Sequence, residues 1–208
     1  MMPCLAKYLH RILALAVLTS IGLLLAACAS TTISNSWTSP DYKGPPLKKL
    51  MVVAVSKQPA TRRTFEDEFV KELKAAGVDA VASYNFIPED GQAEEARVTQ
   101  AVKESGVQGV LITRFVRVDV NAQYTPAYAG MMGMGYPAGY AGAWSGYHDP
   151  PMVNQPDTLV LETSLYGVDE SHLLWSGTTE TFAPTNVKQE MQGFAKVIIG
   201  ALKKRKLI

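Results

Sequence analysis

The chain has little cysteine and little histidine. Cys4 and Cys28 are its only thiols among 208 residues, and His10, His148 and His172 its only imidazoles. From Ala29 onward there is no thiol, so that part of the chain has no disulfide, no thiol catalysis and no Cys-based zinc site. A charge excess is missing too. Twenty Lys and Arg against 19 Asp and Glu give a formal net charge of +1, without the basic field that nucleic-acid binding requires. Glycine-dependent signatures are lacking as well. The first strongly apolar strand signal runs into Ser56-Lys57-Gln58-Pro59-Ala60, with neither G-x-G-x-x-G nor a Walker lysine, and no G-x-S-x-G elbow occurs. The longest apolar run, ILALAVLTSIGLLLAA from Ile12 to Ala27, is about 16 residues, short of the roughly 20 that span a bilayer.

What is present begins with that run. Lys7 and Arg11 precede it, residues 1–27 hold no acid, and small residues close it. Such a segment reads as a secretory signal. Ser, Thr, Asn and Pro follow, where a transmembrane helix would carry a basic stop-transfer cluster. Leu25-Ala26-Ala27-Cys28 resembles the lipobox of bacterial lipoproteins at all four positions. The resemblance implies diacylglyceryl transfer to the Cys28 thiol, cleavage before Cys28 and acylation of the new N-terminus. Several acyl chains at one point make a stable anchor, whereas one chain binds only marginally. Ala29 and Ser30 stand where an aspartate would imply inner-membrane retention. The implied location is the outer membrane, facing the periplasm. The mature chain would be 28–208; without Lys7 and Arg11 it keeps 18 basic residues against 19 acidic.

Residues 28–46, rich in Ser, Thr, Pro and Gly, read as a tether between lipid and domain. Within it Trp37 and Tyr42 are expected to pack on the domain edge. Residues 47–208 read as a single α/β domain. Leu50 to Val55 is a buried strand, because it is continuously apolar and β-branched. Thr61 to Ala76 is a helix with Phe65, Phe69, Leu73 and Ala76 on one face, capped by Thr61 or Thr64 and ended by Gly77. The acids and bases Arg62, Arg63, Glu66, Asp67, Lys71, Glu72 and Lys74 fall largely elsewhere on it. Val78 to Tyr84 is a second strand. A weaker helix spans roughly 92–105, capped by Asp90, with Ala93, Val98, Ala101 and Val102 as its apolar face. Val107 to Val120 is a long strand with Val110, Ile112, Val116, Val118 and Val120 in one parity, where Arg114 signals a twist, a bulge or loss of cover.

Thr158 to Val168 and His172 to Phe182 form a hairpin. Leu159, Leu161, Thr163 and Leu165 share one face of its first strand, and Leu173 and Trp175 one face of its second. Residues 177–181 look polar enough to be partly exposed. The last helix carries a stripe of Met191, Phe194, Ala195, Ile198, Ile199 and Leu202 behind an Asn186 cap with Gln189. The expected fold is α/β, a three-layer or two-layer sandwich with a mixed sheet, in the order β-α-β-α-β-(long loop)-β-β-α.

The long loop, 121–157, is where function is sought. Its centre, Tyr124 to Tyr147, holds six of the 16 glycines and five of the nine tyrosines. Tyrosines spaced by glycine and alanine make adaptable contact surfaces. Tyr124, Tyr128, Met131, Met132, Met134, Tyr136, Tyr140, Trp144 and Tyr147 are therefore the candidate partner-contact residues. Met131, Met132, Met134 and His148 could alternatively collect a soft ion such as Cu(I), but methionines in a loop are more often plain contact groups. Ser145, His148 and Asp149 lack the rigid framing of a catalytic triad. Glu162 is expected to pair with Arg114 if their faces agree. The run Lys203-Lys204-Arg205-Lys206 reads as a solvated helix end, where cations suit the helix dipole.

In element order the domain also resembles small α/β domains of envelope lipoproteins of the DUF4136-like, CsgG-like and TolB N-terminal-like kinds. No functional residue beyond the lipobox carries over from them. The reading is thus a non-catalytic, lipid-anchored periplasmic accessory or structural protein, without cofactor or resident metal. Its partners would be the membrane, through the lipid on Cys28, and an envelope protein assembly or peptidoglycan. The alternative is a small-ligand or metal-binding periplasmic lipoprotein.

Overall fold

The computed structural model describes residues 31–56, 58–87, 95–119, 158–169, 172–182 and 187–208. Along the chain these form β1 (Thr31–Thr38), β2 (Lys49–Val55), α1 (Pro59–Ala75), β3 (Asp79–Ala82), a 3₁₀ turn (Ser83–Asn85), α2 (Glu95–Ser105), β4 (Gly109–Asp119), β5 (Thr158–Gly167), β6 (Leu173–Phe182) and α3 (Val187–Lys204). The strands make one mixed sheet in the order β1-β6-β5-β4-β2-β3. This is the expected α/β sandwich, with helices on both faces.

β2 is shared by the two cores. Its apolar positions run without a break because both faces are covered. Leu50, Val52 and Ala54 enter the larger core with Phe65, Phe69 and Leu73 of α1 and Phe194, Ala195, Ile198, Ile199 and Leu202 of α3. Met51, Val53 and Val55 enter the smaller core with Val98, Ala101 and Val102 of α2. Each fully buried Leu, Ile, Val or Phe contributes roughly 1.5–3 kcal/mol. β2 is parallel to β3 on one side and to β4 on the other. The first crossover steps one way along the sheet and the second steps back over β2. Two crossovers of the same hand must then put α1 and α2 on opposite faces, and the two cores show that they do.

The periodicities of α1 and α3 hold. Phe65, Phe69 and Phe194 meet with ring centroids 5.5–5.9 Å apart and join the two helices. Both helices end in a Schellman motif. In α1 the Val78 N–H reaches the Leu73 carbonyl and the Gly77 N–H the Lys74 carbonyl, with Gly77 at φ +85 as expected. In α3 the Leu207 N–H reaches the Leu202 carbonyl and the Lys206 N–H the Lys203 carbonyl, with Lys206 at φ +58. Leu207 is buried, and its carbonyl accepts from Leu47 N–H. The run Lys203–Lys206 is exposed at that helix end.

Several expectations need correction. The largest concerns the tether: Thr31–Thr38 is a sheet strand, antiparallel to β6. Its composition misleads because it is an edge strand with most side chains in solvent, and a register shift between Ile33 and Asn35 breaks its alternation. Trp37 is exposed where packing was expected, whereas Tyr42 packs on the larger core. Residues 177–181 are more buried than expected. Thr179 and Thr181 lie under cover because β1 flanks β6 and α3 crosses both. Their hydroxyls are satisfied by the Leu161 carbonyl and by Thr31.

Leu173 and Trp175 do not share a face. The register slips between Leu165 and Tyr166, so Trp175 enters the larger core while Leu173 packs on the smaller one. The bulge anticipated near Arg114 lies just beyond it, between Phe115 and Arg117, and ends the single parity expected for β4. The cap residue of α1 is Gln58 followed by Pro59 at the first helical position. Thr64 bonds back to the Ala60 carbonyl instead. β3 stops at Ala82, and Ser83 and Tyr84 turn away in the 3₁₀ segment. Asp90 and Asn186, expected as caps, lie outside the described residues.

Candidate functional site

The antiparallel register brings four strand ends together. Thr31 of β1 pairs with Thr181 of β6. Phe182 pairs with Thr158 of β5, and Thr158 with Asp119 of β4. The parallel strands β2 and β3 run toward this end but stop short of it, β2 level with Arg114 and β3 level with Leu111 of β4. The opposite end holds the start of β2, the Gly167–His172 hydrogen bond of the hairpin and Leu207. Cys28 precedes Thr31 by three residues, and residues 120–157 connect Asp119 to Thr158. The described residues next to both sequence-derived features, the expected lipidation residue and the tyrosine-rich segment, therefore lie at one end of the sheet.

Cys28 and Tyr124, Tyr128, Met131, Met132, Met134, Tyr136, Tyr140, Trp144 and Tyr147 themselves lie outside the described residues. So do Ser145, His148 and Asp149. Their points of attachment are fixed. The Thr31 hydroxyl lies 2.8 Å from that of Thr181, buried in the sheet. Phe182 is 51% exposed, an apolar ring facing solvent beside it.

Where the structure does gather polar side chains, they are occupied with one another. Arg114 and Glu162 are direct partners across β4 and β5. The guanidinium donates from Nη2 at 2.8 Å and from Nε at 3.2 Å to Glu162 Oε2. This is the structural pair expected from parity, half-buried at 24% and 15% side-chain exposure.

A second cluster was not anticipated. Arg62 and Glu66, placed by the helical wheel away from the apolar face, are 3% and 0% exposed. Glu66 Oε1 accepts from Ser83 Oγ at 2.6 Å, from Ala54 N–H at 3.0 Å and from Arg62 Nε at 3.1 Å. Its Oε2 accepts from Tyr84 N–H at 3.1 Å. Arg62 Nη2 also donates to Ser83 Oγ at 2.8 Å. Burial pushes the Glu66 carboxyl above its ordinary range, opposed first by the Arg62 charge and then by the bonds from Ser83, Ala54 and Tyr84. With its donors already placed, this carboxylate ties α1 to β2 and to the 3₁₀ turn. The sequence signal was the i,i+4 spacing of Arg62 and Glu66, which a surface pair would share.

Glu68 makes the third set. It accepts from Gln192 Nε2 at 2.7 Å and lies 3.1 Å from Lys188 Nζ, both on α3. The Gln192 bond is the main reason its carboxyl sits below the ordinary value of 4.5, with Lys188 adding to it against the opposing effect of burial.

Among the described residues no group of three or more His, Cys, Asp or Glu could hold a metal ion. No described helix is long and apolar enough to cross a membrane.

No family model matches the chain, and no curated protein matches it. Solved structures do resemble it. A variant PelC dodecamer from Paraburkholderia phytofirmans is 13% identical at a TM-score of 0.46, covering 81% of this chain and 96% of that one. A further PelC dodecamer from the same organism is 14% identical at 0.45, covering 81% and 95%. Lipoprotein GNA1162 from Neisseria meningitidis is 13% identical at 0.36, covering 76% of this chain and 96% of that one.

Proposed function

We propose that the chain is a lipid-anchored accessory or structural protein of the bacterial cell envelope. It is attached through Cys28 to the outer membrane, faces the periplasm, and docks without catalysis onto an envelope assembly or peptidoglycan. The observation that carries this is the junction at the start of the mature chain. A complete lipobox, Leu25-Ala26-Ala27-Cys28, is followed within three residues by a strand built into the sheet. An export signal there is joined to a folded domain with almost nothing between. The polar clusters support the non-catalytic reading. Arg62–Glu66–Ser83 and Arg114–Glu162 spend their hydrogen bonds on the fold. The contact surface is assigned to the tyrosine-rich segment 124–148, which joins the sheet at the lipidated end.

Anchoring is tested by expressing the full chain and its Cys28→Ser variant, then measuring intact mass and membrane fraction. The wild type should gain acyl mass and sediment with outer membrane; the variant should do neither. Equal masses and equal fractionation would refute anchoring. Docking is tested by crosslinking in living cells and pull-down of wild type and a chain lacking 124–148. A partner captured only by the wild type is expected. One captured equally by both would remove the segment from the interface.

A further inference from the structure

We infer that the sheet end bearing Thr31 and Phe182 rests on the lipid bilayer, with the Phe182 ring in the headgroup–acyl boundary and the strands standing up from the surface. The inference rests on lipidation at Cys28 and goes beyond it, because anchoring alone leaves orientation open.

Three points fix the orientation. The first is reach. Three residue steps separate Cys28 from Thr31, and an extended chain covers at most about 3.6 Å per residue, so Thr31 lies within about 11 Å of the acylated residue. The second is rigidity. Thr31 is 4% exposed, paired with Thr181 and hydrogen-bonded to it. The lipid therefore pulls on the sheet itself. A free tether of some 18 residues would have let the domain tumble about its anchor; this junction does not.

The third is chemistry at the contact. Phe182 follows Thr181, the direct partner of Thr31, on a strand about 4.8 Å away. It is one of two large apolar side chains that the described residues leave exposed. A phenyl ring exposed beside a membrane attachment point has an apolar phase within reach, and entry into the boundary removes its surface from water. The other exposed ring, Trp37, sits toward the far end of β1, opposite Ser176. The basic run Lys203–Lys206 also lies at the far end, where Lys203 Nζ bonds the Ala76 carbonyl and Leu47 N–H the Leu207 carbonyl. Ten-residue strands such as β5 and β6 are roughly 33 Å long. The basic run therefore points into the periplasm, away from the lipid to which the chain is attached.

The mature chain offers a clean probe, since acylation consumes its one remaining thiol. Full-length lipidated Phe182→Cys, Thr32→Cys and Lys204→Cys variants are each labelled with an environment-sensitive fluorophore. They are reconstituted into phosphatidylethanolamine–phosphatidylglycerol vesicles carrying a nitroxide near the headgroup. Thr32 and Lys204 are both exposed, so each tolerates the change independently of Phe182. Labels at 182 and 32 should be quenched several-fold more than the label at 204, with a blue shift at 182. Equal quenching at the three sites on acylated protein overturns the orientation and leaves anchoring intact. Purified chain without acyl mass overturns the anchoring and the inference together.

Discussion

A buried carboxylate is an expensive group to hold, and Glu66 shows the conditions under which a fold holds one. Four donors converge on its two oxygens, and the Arg62 charge opposes the desolvation. The pair is asymmetric to mutation. Glu66→Ala removes the carboxylate that faces the buried Arg62 guanidinium, and breaking a buried ion pair by removing one partner costs about 3–5 kcal/mol. The Arg62→Met, Glu66→Leu double variant should be less destabilised than that single variant, because both buried charges are removed together. Urea unfolding of a soluble Cys28→Ser background measures both; a single variant within about 1 kcal/mol of its parent would contradict the arrangement. The sign of the pH effect follows from the raised carboxyl. Its contribution is complete below the unfolded value and is lost as pH rises through the folded value. Arg114 and Glu162 differ in degree: they are partly solvated, so their pairing contributes little beyond register.

At the scale of elements, α1 and α3 are held together by two kinds of contact. The three phenyl rings supply apolar burial, and Glu68 supplies a polar latch to Gln192 and Lys188. Because the Glu68 carboxyl is depressed below 4.5, the latch contributes fully above that pH and weakens as pH falls through the folded value. Urea midpoints measured from pH 7 to pH 3 should therefore fall more steeply for the parent than for Glu68→Gln. At pH 7 that variant should lose about 1 kcal/mol or less, since Lys188 and the second lysine partner, Lys71 on α1 itself, are both exposed. Parallel curves would exclude the latch. On β6 the packing is steric. The Trp175 ring lies so close over Gly177 that a Cβ there would stand 2.3 Å from it, which is why a strand interior carries glycine at that position.

The whole molecule is a sheet whose first strand in sequence is also its edge, next to β6. Removal of residues 29–38 should therefore do more than shorten a leader. It opens the edge of β6 and uncovers the hydroxyls of Thr179 and Thr181, turning a flanked strand into a pairing hazard. The truncated soluble chain should show a lowered urea midpoint and concentration-dependent association by light scattering. A dispensable linker would leave both unchanged. With Cys28 acylated as proposed, the same placement of β1 would set the posture of the domain, with the sheet end at Phe182 toward the bilayer and the basic helix end away from it.

The sequence by itself determined the elements whose signal is local. The run Leu50–Val55 is apolar at every position because both its faces are buried. The stripes on α1 and α3 follow from a 3.6-residue turn against a flat sheet. The resemblance of Leu25-Ala26-Ala27-Cys28 to a lipobox is also local, and the proposed anchoring rests on it. Tertiary structure decided whatever depends on a neighbour. Thr31–Thr38 becomes a strand because β6 supplies its hydrogen bonds; in isolation its threonines, serines and asparagine resemble a linker. Leu173 and Trp175 face opposite ways because a bulge shifts their register, and no alternation rule sees a bulge coming. Glu66 is buried because the turn at Ser83 and Tyr84 folds back over it. Local patterns follow from the geometry of one element, whereas burial, edges and register are properties of pairs of elements, and only the folded chain brings those pairs together.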